Sequence, residues 1–311
     1  MRVNLDQAVQ LLKAGNVVAI PTETVYGLAA DASNDAALLQ IYAIKQRPMD
    51  NPLIVHIADK SQVNNWAAEF SPLAQKLAAA FWPGPFTLVL PAKSHTSLIV
   101  RGGQSTVALR VPKHALALNL IKESGLALAA PSANKYTQLS PTTSAHVAAG
   151  LGDAIPVLDG GACQVGIEST IVAVTNNAQG ECWQLLRLGM ISEAEIERVT
   201  GKAASMLSQP IKAPGQHVLH YSPRTPMRLF ANRAELLTQA NVRTAALLLG
   251  IGAVPNCTYF ELSNNATDVA QQLYDTLHKM DALNLSELLI EAPPNLPEWL
   301  AILDRLTRAS A

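Results

Sequence analysis

Little in this sequence would hold a protein together by covalent links or by bulk charge. Three cysteines, Cys163, Cys182 and Cys257, are scattered without a CxxC pair. That argues against a disulfide framework or a zinc ribbon and fits a reducing compartment. Charged residues are only 15% of the chain and almost balanced, 23 Lys+Arg against 24 Asp+Glu, so no polybasic tail serves as a handle for nucleic acid or membrane. The residues Met1 to Gln7 lack the apolar run of a signal peptide. The longest apolar stretches are short and broken by proline, as in Phe81-Trp82-Pro83-Gly84-Pro85-Phe86, so none is expected to span a bilayer. The familiar nucleotide and hydrolase signatures are missing too, since there is no GxxxxGK[ST], GxSxG, HExxH or EF-hand loop. The default expectation is a soluble cytoplasmic protein that recognises its ligands with a few placed residues.

What the chain has is apolar content, 49% hydrophobic over 311 residues, enough to fill the core of one large domain or two unequal ones. A helix is expected after the N-cap Asn4, with Gln7 at the capping-box position and a stop at Gly15. A short strand follows over Asn16 to Pro21, then a helix after Ser33-Asn34-Asp35 running towards Lys45 and Arg47, and a strand over Pro52 to Ile57. Ser71-Pro72 opens another helix. Strands are expected at Phe86 to Leu90, Thr106 to Val111, Leu126 to Ala130, Ser169 to Val174 and Cys182 to Leu188, with helices near 114–124, 143–150 and 192–200. This mixture predicts an α/β domain with a twisted mixed sheet and flanking helices over 1–201. Proline- and glycine-rich punctuation (Pro214-Gly215, Ser222-Pro223, Thr225-Pro226) marks a linker over 202–227. Residues 228–311 form a smaller α/β unit, with strands at Arg243 to Gly250, Thr258 to Leu262 and Leu288 to Glu291. Its helices are Thr267 to Ala282 and Pro297 to Arg308. Such a size can fold alone.

Polar residues gather at the ends of apolar strands. Thr22-Glu23-Thr24 follow the first strand; Lys45 and Arg47 end a helix; Asn51 and His56 bracket the next strand. Arg110 interrupts Val107-Ala108-Leu109-Arg110-Val111, Ser132, Asn134 and Ser140 follow Ala130-Pro131, and Glu168-Ser169-Thr170 and Arg187 sit at two further strands. Each has a plain structural explanation: Lys45 and Arg47 complement a helix dipole, Arg110 and Arg187 face solvent, and His56 is a satisfied core histidine. Together they point to an anion pocket at strand ends. Residues 1–135 carry 12 Lys+Arg against 8 Asp+Glu, leaving 11 against 16 in the remainder.

Pro21-Thr22-Glu23-Thr24-Val25-Tyr26-Gly27-Leu28 resembles the YrdC-like threonylcarbamoyl-AMP synthase family. So do Lys45-Gln46-Arg47-Pro48, Asn51 to His56, Trp82 to Pro85, Val107 to Pro112, Pro131-Ser132-Ala133-Asn134, Ser140-Pro141-Thr142 and Gly166 to Ile171. The motifs run in family order over about residues 5 to 200. The residues after His220-Tyr221-Ser222-Pro223 are similar to the long, two-domain branch, whose extra C-terminal domain is Rossmann-like. The resemblance implies a nucleotidyltransferase that turns L-threonine, bicarbonate and ATP into L-threonylcarbamoyl-adenylate and pyrophosphate. That product serves tRNA threonylcarbamoyladenosine modification through downstream tRNA threonylcarbamoyl-transfer proteins. By the same resemblance Lys45 and Arg47 are catalytic, stabilising the departing pyrophosphate. Arg47, Asn51, Thr106, Ser132, Asn134, Ser140, Arg187 and Tyr221 hold ATP, and Thr24, His56, Arg110, Ala130 and Ser169 hold threonine. Mg²⁺ arrives with ATP and no structural metal is implied. The linker would act as a lid through Tyr221.

The sequence departs from the family pattern in three places. Gln46 and Thr137 stand where glycine is usual, and Tyr136 where serine is usual. The linker lacks two cations normally found before His220. Two competing readings are an RNA-binding protein that uses the cationic concavity without adenylation, and a related module of metallocentre maturation. The first is weakened by near-zero net charge and no aromatic stacking motif, the second by the lack of zinc-finger cysteines.

Overall fold

A computed structural model describes residues 1–177, 180–205 and 211–311. Part of the expected linker, 206–210, therefore lies outside the described residues.

Asn4 caps α1 (Leu5–Lys13) through a complete capping box with Gln7. Asn34 caps α2 (Asp35–Lys45), and Ser71 with Pro72 at the first turn starts α3 (Pro72–Phe81). Around them run β1 (Arg2–Val3), β2 (Val18–Ile20), β3 (Gly27–Asp31), β4 (Ile54–His56), β5 (Phe86–Pro91) and β6 (Thr106–Arg110). After α4 (Ala115–Ser124) come β7 (Leu128–Ala129), α5 (Ser144–Leu151), β8 (Val157–Leu158), β9 (Thr170–Asn177), β10 (Gly180–Arg187) and α6 (Glu193–Thr200). Among the described residues these ten strands form one mixed sheet in the order β1-β8-β2-β3-β7-β4-β6-β5-β9-β10. The expected twisted mixed sheet with flanking helices is the one observed.

The second sheet is small and parallel. It comprises β11 (Met227–Phe230), β12 (Thr244–Leu249), β13 (Thr258–Leu262) and β14 (Glu287–Glu291), in the order β11-β14-β12-β13. Helices α7 (Arg233–Gln239), α8 (Ala266–Asp281) and α9 (Leu300–Ala309) accompany it. Sequence periodicity missed β1, β3, β8, β11 and α7. β3 has four consecutive buried residues, so it shows no alternation by which a strand announces itself.

Two packing features position the site. The strand ends carrying polar residues lie side by side at the centre of the large sheet, because β4 pairs with β6 in the register His56 to Arg110. The C-terminal unit also shares an apolar core with the first: Val25, Leu139 and Ile167 pack in one cluster with Leu273, Tyr274 and Leu306.

Candidate active site

The first wall of the pocket is the turn after β2. Thr22 Oγ1 accepts hydrogen bonds from the amides of Thr24 and Val25, both at 3.2 Å, and donates to Val25 O at 2.7 Å. The turn aims Thr24 and Glu23 at Arg110 on β6. Arg110 donates through Nη1 to Thr24 Oγ1 at 3.0 Å and through Nε to Gly84 O at 3.2 Å. Its Nη2 lies 2.7 Å from Glu23 Oε1, with both side chains buried. Burial alone would raise the Glu23 pKa, but Arg110 outweighs it and holds the carboxyl below its usual range. His56, beside Arg110, is pushed down to about 3 by burial and then by that guanidinium, so it is a neutral imidazole at physiological pH. Its Nδ1 has no hydrogen-bond partner among the described residues.

The second wall is cationic. Arg47, just past the end of α2, donates from Nε to Asn51 O at 3.3 Å and from Nη2 to Pro52 O at 3.0 Å. Its guanidinium lies 5.7 Å from the centre of the Tyr136 ring. Arg187 follows a register shift between Leu185 and Arg187 at the end of β10, a bulge of the kind that re-aims a side chain. It donates to Ser169 O and Ser169 Oγ, each at 3.0 Å, and to Pro214 O at 3.3 Å. Among the described residues both arginines donate only to carbonyl and hydroxyl oxygens, and neither is hydrogen-bonded to a carboxylate.

The third wall is the segment before the small sheet. Pro214, Gly215, His220 and Tyr221 cover the pocket, which Thr24, Arg47, His56, Arg110, Ala130, Ser132, Glu168 and Arg187 also line. Tyr221 is buried in a left-handed conformation, φ +63°, and its hydroxyl lacks a hydrogen-bond partner among the described residues. A Cβ on Gly215 would meet that hydroxyl at 2.4 Å. The free volume within the pocket is about 50 Å³.

Of the residues singled out in the sequence, Thr24, Arg47, His56, Arg110, Ala130, Ser132, Arg187 and Tyr221 line this one pocket. Arg110 and Arg187 do not face solvent; both are buried. The others stand behind it. Lys45 is buried and donates to Ser132 O and, at 2.7 Å, to Asn134 O, clamping the loop after β7. Burial, then Arg47, lowers its pKa well below the usual lysine value. Asn134 donates to Lys135 O and Gln138 O at 2.9 and 2.7 Å, shaping the same loop. Asn51 Nδ2 donates to the Tyr136 hydroxyl at 2.9 Å. Ser140 donates to Glu168, and Ser169 Oγ pairs with Thr87 Oγ1 at 2.8 Å. Thr106, four residues before Arg110, lies about 13 Å away along β6.

Sequence reasoning assigned no role to Glu168, His220, Gly215 or Tyr136. Glu168 was visible only as a polar residue before a strand. The linker residues lacked any periodicity that would aim them at the sheet. No helix among the described residues is long and apolar enough to cross a membrane.

Fold and pocket define a class: an α/β protein with an arginine-lined pocket between a mixed sheet and the segment leading to a second unit. A family model described as "Telomere recombination" matches residues 10–189, and one described as "Threonylcarbamoyl-AMP synthase, C-terminal domain" matches 191–311. The threonylcarbamoyl-AMP synthase of Bacillus subtilis is 38% identical, covering 98% of this chain and 92% of the relative. That of Pyrococcus abyssi is 35% identical over 97% of this chain and 93% of its own. The crystal structure of P. abyssi Sua5 complexed with L-threonine superimposes with a TM-score of 0.89 at 34% identity, covering 100% of this chain and 96% of that one. The chain belongs to the threonylcarbamoyl-AMP synthase family.

Proposed function

We propose that this protein condenses L-threonine, bicarbonate and ATP into L-threonylcarbamoyl-adenylate, releasing pyrophosphate, and that the product feeds tRNA threonylcarbamoyladenosine formation through downstream transfer proteins in the cytoplasm. The observation that carries this reading is the convergence, in one pocket, of Arg47 and Arg187 with the Thr24, His56 and Arg110 cluster. One pair suits phosphates; the other group suits an amino acid.

In this reading Thr24, His56, Arg110, Ala130 and Ser169 surround threonine. Arg110 donates hydrogen bonds to Thr24 and Gly84 and forms an ion pair with Glu23, which leaves N–H groups of its fork for a carboxylate. A neutral His56 adds no charge to repel the amine. The amine attacks bicarbonate, loses a proton and, with departure of water, leaves a carbamate. A carbamate oxygen then attacks the α-phosphorus of ATP, and the bond to the bridging oxygen of the β-phosphate breaks. Arg47 meets the charge developing on pyrophosphate. Lys45 supports it by holding the Ser132–Asn134 loop. Ser132, Asn134, Asn51, Ser140, Thr106, Arg187 and Tyr221 form the nucleotide side, directly or by shaping it. Closing Pro214–Tyr221 over the reactants excludes water from a labile carbamate and a labile acyl-adenylate.

Mg²⁺ enters as part of the MgATP substrate. Glu23 is paired with Arg110 and Glu168 with Arg305. Among the described residues no group of three or more His, Cys, Asp or Glu side chains could hold a metal.

The decisive assay follows pyrophosphate release from ATP, with each co-substrate omitted in turn. Release that requires both threonine and bicarbonate supports the reaction. Release independent of threonine, or none at high enzyme concentration, overturns it. Steeply salt-dependent RNA binding unaffected by ATP would instead favour the RNA-binding reading.

A further inference from the structure

The C-terminal helix α9 carries a fully buried arginine, Arg305, that is not itself among the residues lining the pocket. Arg305 Nε donates to Glu168 Oε2 at 2.9 Å and Nη2 donates to Leu188 O at 2.8 Å. The same guanidinium lies 5.0 Å from the centre of the Tyr221 ring, within cation–π range. Glu168 and Tyr221 both line the pocket; Arg305 is behind both.

Helix α8 completes the support. The Tyr274 hydroxyl donates to Glu168 Oε2 at 3.1 Å, and Ser140 Oγ donates to Oε1 at 2.5 Å. Two residues before Glu168, Gly166 has φ +82° and lies so close to α8 that a Cβ would fall 2.3 Å from Ala270 O. The loop bearing Glu168 is thus seated on the C-terminal unit by backbone contact as well as by charge.

A buried carboxylate beside a nucleotide site is a liability unless neutralised. Burial raises the Glu168 pKa, but Arg305 first and Arg187 second pull it down to about 2. The other groups facing it are Ser140, Tyr274, Tyr221, His220 and Lys45. Both partners of the pair are desolvated, a geometry that adds little net stability over an apolar pair of the same volume. What such a pair supplies is position rather than stability.

We propose that Arg305 is a positioning residue for the reaction pocket: from the C-terminal unit it neutralises Glu168 and backs the Tyr221 ring, so that the second unit completes a site whose ligand contacts lie mostly in the first. The inference rests on the reaction proposed above, and it gives the C-terminal unit a defined task.

The test uses the full chain with Arg305→Met, Arg305→Lys and the double variant Glu168→Gln/Arg305→Met. The first readout is the Glu168 side-chain carboxyl titration, followed by ¹³C NMR and assigned by its loss in Glu168→Gln. In Arg305→Met it moves up from the wild-type position. The second is the KM for ATP against kcat for pyrophosphate release, with the affinity of a non-hydrolysable ATP analogue alongside. Arg305→Met raises the ATP KM and weakens the analogue on the order of tenfold, and the double variant recovers part of the loss because no unpaired carboxylate remains. Arg305→Lys keeps the charge and falls between; if the Met variant loses cooperative unfolding, the Lys variant carries the same readouts. A lowered melting temperature with unchanged Glu168 titration and unchanged ATP affinity would overturn the inference, leaving Arg305 a purely structural residue. Titration and analogue binding decide the matter even in a protein that releases no pyrophosphate, an outcome that would count against the reaction alone.

Discussion

Glu23 and Arg110 meet 2.7 Å apart as a buried ion pair between the turn after β2 and the end of β6. Thr24 is held to the same guanidinium. Removing one partner leaves the other charge buried and uncompensated. Glu23→Gln is expected to cost about 3–5 kcal/mol of stability, the range for breaking buried pairs, measured by urea unfolding at neutral pH. The KM for threonine should rise in parallel, because Arg110 loses its orienting partner. A change under about 0.5 kcal/mol, the scale of an inert surface substitution, would refute the pairing.

Acid should attack the same region. The folded-state pKa values of Glu23 and Glu168 both lie below the ordinary glutamate value, the latter at about 2. A depressed carboxyl contributes stability that is fully present above its unfolded pKa and is lost as pH falls through the folded one. Stability should therefore decline from about pH 5 towards pH 2, and this slope should be shallower in Glu168→Gln. Thermal unfolding across that window gives the comparison. Equal slopes would remove Glu168 as a source of the acid sensitivity.

Arg47 offers its charge to the pocket while bonded only to backbone oxygens among the described residues. Arg47→Ala is expected to lower pyrophosphate release by roughly 10²–10³, as loss of one preorganised donor does, with cooperative unfolding retained. Collapse of the fold in this variant would assign Arg47 a structural role.

Gly215 has φ +89°, and a Cβ there would lie 2.4 Å from the Tyr221 hydroxyl and 3.0 Å from Arg187 Cδ. Gly215→Ala should prevent the closed arrangement of the covering segment. Turnover falls and the KM for ATP rises, while the melting temperature changes little, since the strain is confined to the cover. Wild-type kinetics would show that closure does not depend on this contact.

Gln46 and Thr137 adopt φ +54° and +68°. These are positions where the sequence resemblance leads one to expect glycine. Left-handed backbone costs an L-residue about 1–2 kcal/mol, partly offset by the greater entropy glycine loses on folding. Thr137→Gly, the β-branched case, is expected to stabilise by about 0.5–1 kcal/mol, net of those opposing terms. Denaturant midpoints measure it, and a loss of stability would mean that the Thr137 side chain makes up for its backbone strain.

Much of the local structure was legible. Asn4 with Gln7, and Ser71 with Pro72, announce helix starts because their side chains or rings suit the first turn. β3 was not legible, since burial on both faces erases alternation. The site was legible as a set of residues and a family pattern, but not as geometry. His56 and Arg110 are 54 positions apart, and only the β4–β6 register makes them neighbours. Lys45, read as a partner of Arg47 in the pocket, instead turns towards the Ser132–Asn134 loop. Helix position alone cannot say which of two nearby cations faces the cavity.

By itself, then, the sequence determined the two α/β regions, the lack of bulk charge and the family to which the chain belongs. All of these follow from composition, local capping chemistry and motif order. Tertiary structure alone decided that Glu168 is charged, that Arg305 from the last helix stands behind it, and that Tyr221 lies under Gly215. Those facts depend on long-range contacts and on the low polarity of a shared interior, and no stretch of chain encodes either in isolation.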